Sequence, residues 1–591
     1  MYDYEHITHD REGISMDRRN FLKVAGAAPA VIAGSSSSAF AEGTRPFIDT
    51  QQLYRRNGNR STVACSNGIV CASQPLAAMV GIDILKAGGN CIDAAIATNA
   101  MLGLTEPGSD GIGGDLFAIV WSERDKRLFG LNASGRAPYE WDLDKASTKG
   151  FDRIPRQSPL SWTVPGCVSG WSLLNERFGK LSLSQCLEAA ISYAEEGFPV
   201  SPVIAATQFG YWTKERFPHI ASVYHPDGVI PKFGDVFKNP LLAKSYRQIA
   251  EGGAEAFYRG EIAEQIVAKS TELGGYMSLQ DLADHSANWV EPVTTSYRGF
   301  DVWELPPNGQ GIAALQMLNI LENFDIASLE HNSAEHLHLF VEAKRLAFED
   351  RARYYADPTF SDVPVEWLIS KEYAAERAAL IDPMAASQRV MPGDPELDSD
   401  TIYMTAADGE GNMISLIQSI YSDFGSTICP DGVGFAMQNR GQAFSLDPEH
   451  PNRLEPHKRP FHTIIPAFVT EGGRPLLSFG VMGGDFQPQG HSQVLMNLID
   501  FHMSPQQAGE QPRMSHISQS SPWLGRSSDA GEVAFEHGVP DAVKLRLAEF
   551  GHRVSPTTGL HGGYQAIWRT DDPLVYFGGS DPRKDGAAMG Y

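Results

Sequence analysis

The sequence predicts a mixed α/β fold, and three observations support this. Two apolar helices are expected close together, the first from Pro75 to the Gly88-Gly89 pair and the second over 91–104. A long helix with one apolar face is expected over about 334–355. Beyond residue 401, short segments alternate between apolar and polar residues, which is typical of strands. A chain of 591 residues, 42% of them hydrophobic, is long enough for one very large core or for several domains.

The first helix has start and stop signals in its own sequence. Ser73 is expected to cap it and Pro75 to stand in its first turn. The glycine-rich segment 106–115 then separates the second helix from a strand over 116–121. No Gly-Lys-Ser/Thr follows these glycines, and a strand comes next rather than a helix, so they do not form a phosphate-binding loop. Close backbone packing is the better interpretation.

Charge and cysteine content exclude several classes of protein. The formal net charge of -24 repels nucleic acid and anionic membranes, so neither is an expected partner. The six cysteines have no Cys-x-x-Cys spacing, and we expect buried free thiols. No metal or other cofactor is expected, because the histidines, including those of His336-Leu337-His338, show no ligand pattern with a carboxylate or cysteine.

The N-terminal residues are typical of an export signal. Residues 17–23 (DRRNFLK) contain a twin-arginine element, residues 24–34 are weakly apolar, and Ala39-Phe40-Ala41 offers a small-x-small cleavage site. We therefore expect residues 1–41 to be a signal peptide and the protein to be periplasmic or secreted. The alternative is a retained anchor, although the apolar run is short and rich in Ala and Gly.

A polar linker precedes a predicted β-hairpin. Residues 393–400 are polar and acidic, residues 401–407 and 413–421 alternate like strands, and residues 408–412 (DGEGN) have turn composition. If the loop is symmetric about Glu410, Thr401 lies directly opposite Ser419, with Cβ atoms roughly 4.5–5.5 Å apart. A bulge in the loop would change this register.

Thr401 has the chemistry of a nucleophile if the chain is cut before it. A threonine hydroxyl needs a base to take its proton, and a free α-amino group on the same residue can serve. Cleavage of the Asp400–Thr401 bond would free that amine, and an exposed linker tolerates such a cut. The alternative from this segment alone is a threonine that merely begins a strand.

Ordered motifs from about Ala64 to Tyr591 resemble the gamma-glutamyltranspeptidase family of N-terminal-nucleophile hydrolases. Each motif is weak alone, but their order and spacing are specific. They are PLAAMVGIDILKAGGNCIDAAIATN (75–99), EPGSDGIGGDLF (106–117), VPG (164–166), FYRG (257–260), YRG (297–299), PP (306–307), LNILENF (318–324), YYADP (354–358), DT (400–401), FGS (424–426), KRP (458–460), GG (483–484) and SDPR (580–583).

The resemblance implies a fold and a processing step. The fold would be a four-layer α/β/β/α sandwich, with helices covering two stacked sheets. The precursor would cut itself between Asp400 and Thr401, giving a heavy chain over 42–400 and a light chain over 401–591 that together form a heterodimer.

Site residues follow from the same resemblance. Thr401 matches the nucleophile, and Ser419 matches a second hydroxyl that hydrogen-bonds it. Gly483 and Gly484 match the pair whose backbone N–H groups form an oxyanion hole. Arg136 matches an arginine that binds the substrate carboxylate, a task that suits the forked guanidinium.

The sequence departs from the family pattern where an α-amino acid would bind. Ala443 occupies the position of the aspartate that holds the glutamyl ammonium. Arg440 replaces a glutamine, and Tyr421 an asparagine. His462-Thr463 replace two serines, and Ile402-Tyr403 replace the usual Thr-His. The Asn-Arg-Gly pattern at 439–441, with His462-Thr463, resembles the branch of glutaryl-cephalosporin acylase-like and oxamate amidohydrolase-like members.

Three functions therefore stay open. The first is an amidohydrolase acting on a small amide whose acyl part carries a carboxylate, bound by Arg136 and Arg440, because a buried ammonium without an acceptor is costly. The second is a gamma-glutamyltransferase or glutathione hydrolase, with Asp485 as the ammonium acceptor; a structural hydrogen bond is the alternative role of Asp485. The third, from another class, is an inactive exported binding protein.

Overall fold

Two seven-stranded antiparallel sheets stacked face to face form the centre of the molecule, and helices cover both outer faces. This computed structural model describes residues 60–210, 212–387, 401–518, 520–525 and 530–591. The predicted signal peptide, the linker 393–400 and Asp400 lie outside those residues. The four layers confirm the expected α/β/β/α sandwich.

The first sheet, called here the hairpin sheet, contains the hairpin expected from the sequence. Every residue of the two hairpin strands is buried, because one face meets the helices and the other meets the second sheet. The order of its strands is Ala587–Gly590, Gly68–Ala72, Ile402–Asp408, Met413–Ser419, Asp115–Ser122, Arg127–Ala133, Asn288–Val290.

The second sheet ends next to the glycine pair, so it is called here the glycine-pair sheet. The order of its strands is Val63–Cys65, Leu574–Ser580, Tyr564–Asp571, Arg474–Val481, Ala467–Glu471, Phe300–Glu304, Val293–Tyr297. Apolar side chains from both sheets meet between them, among them Phe117, Tyr403, Met413, Phe468 and Ile567. This shared core fixes the position of one sheet over the other.

Helices form the two outer layers. Those against the hairpin sheet include Pro75–Lys86, Cys91–Thr105, Cys167–Phe178, Leu183–Glu196 and Pro240–Tyr258. Those on the side of the glycine-pair sheet include Gly311–Leu321, Ala334–Tyr354, Lys371–Ala378, Gln487–Ile499 and Pro505–Glu510. Shorter or peripheral helices are Leu143–Thr148, Pro202–Ile204, Pro218–Tyr224, Glu261–Glu272, Leu279–Ala283, Val365–Leu368 and Asp541–Glu549.

Two small sheets complete the fold. One consists of Met514–Ile517, Glu532–Phe535 and Val554–Thr558, with the last two strands parallel, and the other pairs Phe198–Pro199 with Val236–Phe237. No helix in the described parts of the chain is both long and apolar enough to cross a membrane.

Most local predictions are confirmed, and one is wrong. The helix pair, the long helix and the hairpin form within a residue or two of the expected bounds, and all six cysteines are free. Ser73 does not cap the first helix. Its hydroxyl donates instead to the carboxylate of Glu106, while Gln74 holds the N-cap position without a side-chain bond. The buried carboxylate of Glu106 needs a donor, and this outweighs the cap.

Candidate active site

The hairpin register brings Thr401 next to Ser419. The observed pairs run from Ala407 opposite Met413 to Ile402 opposite Gln418, without a bulge, so the symmetric register is confirmed. The hydroxyl of Thr401 lies 3.3 Å from that of Ser419, and neither side chain is exposed to solvent. The Ser419 hydroxyl also accepts a hydrogen bond of 2.8 Å from the N–H of Tyr421. Two hydroxyls therefore stand together at the end of a rigid sheet.

The glycine-rich segment predicted to pack closely does so against this end of the hairpin. A Cβ on Gly114 would lie 2.3 Å from the carbonyl oxygen of Ser419, and one on Gly113 would lie 2.1 Å from that of Ala436. Only glycine allows such an approach. The segment therefore fixes the backbone that carries Ser419.

Contacts between the sheets place Thr401 near the glycine pair. The Thr405 hydroxyl lies 2.6 Å from that of Ser478, and the Tyr403 ring packs against Gly480. Moving two residues towards the N-terminus of the hairpin strand, from Thr405 to Tyr403, therefore corresponds to moving two residues towards the C-terminus of the facing strand, from Ser478 to Gly480. Continuing this pattern by one step sets Thr401 level with Met482, directly before Gly483 and Gly484.

Gly483 and Gly484, the pair predicted to form the oxyanion hole, lie in a turn at the end of a strand of the glycine-pair sheet. Both have positive φ, 116° and 53°, and they turn the chain from the strand Arg474–Val481 into a short 3-10 helix. Within the described residues, neither N–H donates a hydrogen bond to the protein. Free amides in a fixed turn can bind developing negative charge without reorganising.

Gln310 joins the glycine pair to two other parts of the site. Its amide nitrogen donates to the carbonyl oxygens of Gly484, at 2.8 Å, and Thr463, at 2.7 Å. Its amide oxygen accepts from Arg351, which also forms a bidentate ion pair with Asp485 at 2.9 and 3.3 Å. Both oxygens of Asp485 therefore already contact a buried cation, although its side chain is 35% exposed.

Arg440 is a buried cation next to Tyr421, whose N–H binds the Ser419 hydroxyl. It is fully buried, and its guanidinium lies 4.0 Å from the centre of the Tyr421 ring. One nitrogen, Nη1, donates to the Thr463 hydroxyl at 2.8 Å, whereas Nε and Nη2 have no partner among the described residues. Burial lowers its pKa to about 10, so it stays charged at neutral pH.

His462 is held by the protein through both ring nitrogens. Nδ1 accepts from the N–H of Ile464 at 3.3 Å, so the proton sits on Nε2, which donates to Asp115 at 3.0 Å. Asp115 also accepts from Gly135, Gly166 and Gln438. Burial, with the nearby Arg440 cation, lowers the pKa of His462 to about 4, and the ring is neutral. It supports the backbone of Thr463 rather than offering a ring nitrogen to the site.

Arg136 has its described contacts away from the hydroxyl pair. Its Nη1 donates to the carbonyl of His457 at 3.2 Å and lies 3.6 Å from a carboxylate oxygen of Asp357. In the described parts of the chain, no contact joins its side chain to Thr401, Ser419 or Arg440. Its role in binding substrate stays a prediction from the resemblance.

Some supporting residues were missed in the sequence. Asp115, Gln310 and Arg351 connect the predicted residues but are far from them along the chain. Asp115 could have been identified from the sequence, because a carboxylate at the start of an apolar strand requires buried partners.

Comparisons with known proteins agree with this architecture. Residues 77–591 match the family model of gamma-glutamyltranspeptidase. A glutathione hydrolase-like proenzyme from Bacillus subtilis, YwrD, is 37% identical over 90% of this chain and 100% of its own length. An oxamate amidohydrolase proenzyme from Klebsiella pneumoniae is 34% identical, with coverages of 90% and 100%. The crystal structure of a cephalosporin acylase from Bacillus halodurans is 42% identical, with a TM-score of 0.83 and coverages of 92% and 99%.

Fold and site together define an enzyme, an amidohydrolase of the N-terminal-nucleophile type. Within that class, the chain belongs to the gamma-glutamyltranspeptidase family.

Proposed function

We propose that the protein cuts itself before Thr401 and then hydrolyses amides whose acyl group ends in a carboxylate, through an ester on Thr401. The observation that carries the choice of substrate is Arg440, a fully buried cation that contacts the Tyr421 ring and the Thr463 hydroxyl. Two of its nitrogens have no hydrogen-bond partner among the described residues. Acylase and amidohydrolase names among the relatives support the same class of reaction.

The first step would be self-cleavage. The Thr401 hydroxyl attacks the carbonyl carbon of Asp400, the C–N bond breaks, and the nitrogen becomes the α-amino group of Thr401. Water then hydrolyses the ester, leaving Asp400 as a free carboxyl end. The names of the relatives as proenzymes support processing of this kind.

The freed amine would act as the base for the substrate reaction. It takes the hydroxyl proton as Thr401 attacks the substrate carbonyl, and it returns that proton to the leaving amine. The N–H groups of Gly483 and Gly484 would stabilise the oxyanion, and the Ser419 hydroxyl would hold the nucleophile in position. A water molecule then releases the acid and restores Thr401.

Electrostatics favour an acyl group without an α-amino group. A buried cation without an ion pair is unfavourable, and Arg440 forms none among the described residues; a substrate carboxylate would supply one as a charge-assisted pair. An ammonium would instead meet the like charge of Arg440, while Ala443 offers no acceptor and both oxygens of Asp485 already contact Arg351. A free acid end, as in a glutaryl group, fits these charges better than a glutamyl group.

A pair of anilides that differ only in the α-amino group tests the substrate. We expect kcat/KM for the glutaryl anilide to exceed that for the gamma-glutamyl anilide by about 10-fold or more, since an unpaired buried charge costs about 1.5–3 kcal/mol. The release of the coloured aniline gives the rate for both compounds. A preference for the gamma-glutamyl anilide would overturn the assignment of the carboxylate end.

The second candidate function is hydrolysis or transfer of gamma-glutamyl groups. The partly exposed carboxylate of Asp485 favours it, because that group directly follows the glycine pair and retains access to solvent. The glutathione hydrolase-like relative supports it as well. Preferred use of the gamma-glutamyl anilide, lost in Asp485→Asn, would establish this function.

Denaturing electrophoresis tests self-cleavage and separates an enzyme from an inactive binding protein. We expect two fragments, the smaller beginning at Thr401 by N-terminal sequencing. Thr401→Ala should remain one chain without activity, whereas Thr401→Ser, which keeps a hydroxyl, should still be cut. A processed Thr401→Ala protein would show that another residue is the nucleophile.

We also propose export by the twin-arginine route, which the DRRNFLK element and the Ala39-Phe40-Ala41 site support. Fractionation of cells expressing the full chain, compared with Arg18→Lys/Arg19→Lys, measures this. Retention of the double variant in the cytoplasm, and release of the unmodified chain to the periplasm or medium, is the expected result.

A further inference from the structure

His338, Glu342 and His552 bring three metal-binding side chains together outside the site of Thr401. His338 and Glu342 are one turn apart on the helix Ala334–Tyr354, and His552 lies between the helix Asp541–Glu549 and the strand Val554–Thr558. One ligand atom of each lies within 4.8 Å of the others, and all three residues are buried. The proposed reaction uses none of them.

The first histidine is oriented as a metal ligand would be. His338 Nε2 lies 2.7 Å from the carbonyl oxygen of Asp382, so its N–H donates there and the lone pair of Nδ1 points to the cluster. A histidine bound to a metal commonly donates its other N–H to a carbonyl or carboxylate in this way. The His338 Nδ1 and His552 Nε2 atoms are 2.7 Å apart.

The carboxylate is supported as well. Glu342 accepts from Arg345 at 2.7 Å and from the N–H of Ser387 at 3.3 Å. These bonds use one lone pair on each oxygen, and a carboxylate oxygen has a second lone pair for an ion. Metal-bound carboxylates are usually held by such donors.

We propose that His338, Glu342 and His552 bind one Zn²⁺ ion, with water completing a tetrahedral site. Two imidazoles and one carboxylate are ligands that zinc prefers. With Zn–N distances near 2.0–2.1 Å, the two nitrogens would stand about 3.3 Å apart, so the rings must separate slightly. His552 lies in the short connection between a helix and a strand, so a small shift of this segment would separate the rings. Its Nε2 proton leaves to solvent when the ion binds.

The ion would hold the end of the predicted heavy chain against the fold. Asp382 and Ser387 contact the two ligands on the long helix, and Arg345 donates to the carbonyl of Ser387. Ser387 is the last described residue before the segment that leads to Thr401. Zinc would therefore stabilise this attachment in the precursor and in a processed protein alike, and the site stands independently of the proposed substrate.

Metal analysis of untagged protein tests the site. The full chain is stripped with a chelator, dialysed against micromolar Zn²⁺ and analysed by atomic emission. We expect one ion per chain and a rise in Tm of about 2 °C or more. Co²⁺ should give the visible absorption bands of a tetrahedral ion with nitrogen and oxygen ligands.

Variants distinguish zinc binding at this cluster from nonspecific zinc binding elsewhere on the protein. His338→Gln and His552→Gln should lose the bound zinc, the Co²⁺ bands and the zinc-dependent rise in Tm. His336→Gln, on the same helix and equally buried, should keep all three. If His338→Gln fails to fold, His552→Gln decides the question, because His552 forms no ion pair in the described structure. Unchanged zinc binding in His552→Gln, or no stoichiometric binding by the unmodified protein, would overturn the proposal.

Discussion

Arg440 shows how a single residue of the candidate site can contribute less to the stability of the fold than a similar residue elsewhere. Its guanidinium is fully buried and, among the described residues, donates one hydrogen bond, to Thr463. Arg583 is nearly as buried, yet it is paired with both Glu536 and Asp581. These partners raise the pKa of Arg583, whereas burial lowers that of Arg440. Arg583 is fully paired, whereas Arg440 keeps two donor nitrogens without a partner among the described residues.

Arg440→Met should therefore separate stability from activity. We expect Tm to stay the same or to rise, because an unpaired buried charge is removed. We expect kcat/KM for a glutaryl anilide to fall roughly 30-fold or more, as loss of one partner of a buried charge pair costs about 2–5 kcal/mol. Thermal unfolding and steady-state kinetics on the same samples measure both.

Arg583→Met is the matched control. It leaves Glu536 and Asp581 as buried carboxylates with fewer partners, so it should destabilise the protein by about 3–5 kcal/mol. A comparable loss of stability in Arg440→Met would mean that Arg440 has a structural role and that the carboxylate assignment is wrong.

At the scale of elements, the hairpin strand Ile402–Asp408 was the most predictable part of the site. Its register depends on local turn composition, and the Asp408 carboxylate closes the loop by accepting from the N–H groups of Glu410 and Asn412. The contact of Tyr403 with Gly480 was not predictable, since it depends on how two sheets stack. That contact sets the distance between nucleophile and glycine pair.

Gly480→Ala should disturb this stacking. The new Cβ would lie 2.4 Å from the Tyr403 ring, so the buried ring must move, at a cost of about 1–3 kcal/mol. We expect slower self-cleavage and a kcat lowered by about 10-fold or more, because small displacements of reacting groups are costly. Denaturant unfolding and a time course of fragment formation measure the two effects.

A second change distinguishes the clash from a general loss of stability. Tyr403→Leu makes room for the Cβ, so the double variant with Gly480→Ala should be more stable than the sum of the single changes implies. Gly559→Ala, whose Cβ would meet only His561 at 3.5 Å, should have little effect. Additive losses in the double variant would contradict the stacking contact.

At the scale of the whole molecule, local patterns predicted elements but not the polar interior. Helix bounds and the hairpin follow from short-range periodicity, whereas the bonds of Gln310 join segments more than a hundred residues apart. The spacing of the histidines along the chain predicts no metal site. Glu342 lies one helical turn after His338, but the nearness of His552 to both depends on the tertiary fold and does not follow from the spacing.

Buried neutral histidines should make stability depend on pH. Burial lowers the pKa of His285, on the side of the hairpin sheet, and of His336, on the long helix beyond the other sheet, to about 3 each. Both folded values lie below the unfolded value of 6.5, so the unfolded chain binds protons first as pH falls. Their contribution to stability is present above about pH 6.5 and decreases below it, by at most about 1.4 kcal/mol per pH unit for each histidine.

Glutamine variants separate the contribution of each of these two histidines from the contributions of the other titrating groups. Between pH 6.5 and 5, the free energy of unfolding of the unmodified protein should fall by about 2 kcal/mol more than that of His285→Gln or His336→Gln. Denaturant unfolding measures both values. Because the two histidines lie in opposite outer layers, the effect in the double variant should equal the sum of the effects in the two single variants. A difference in the free energy of unfolding between the unmodified protein and these variants that does not change with pH would show that folding does not lower the pKa of these histidines.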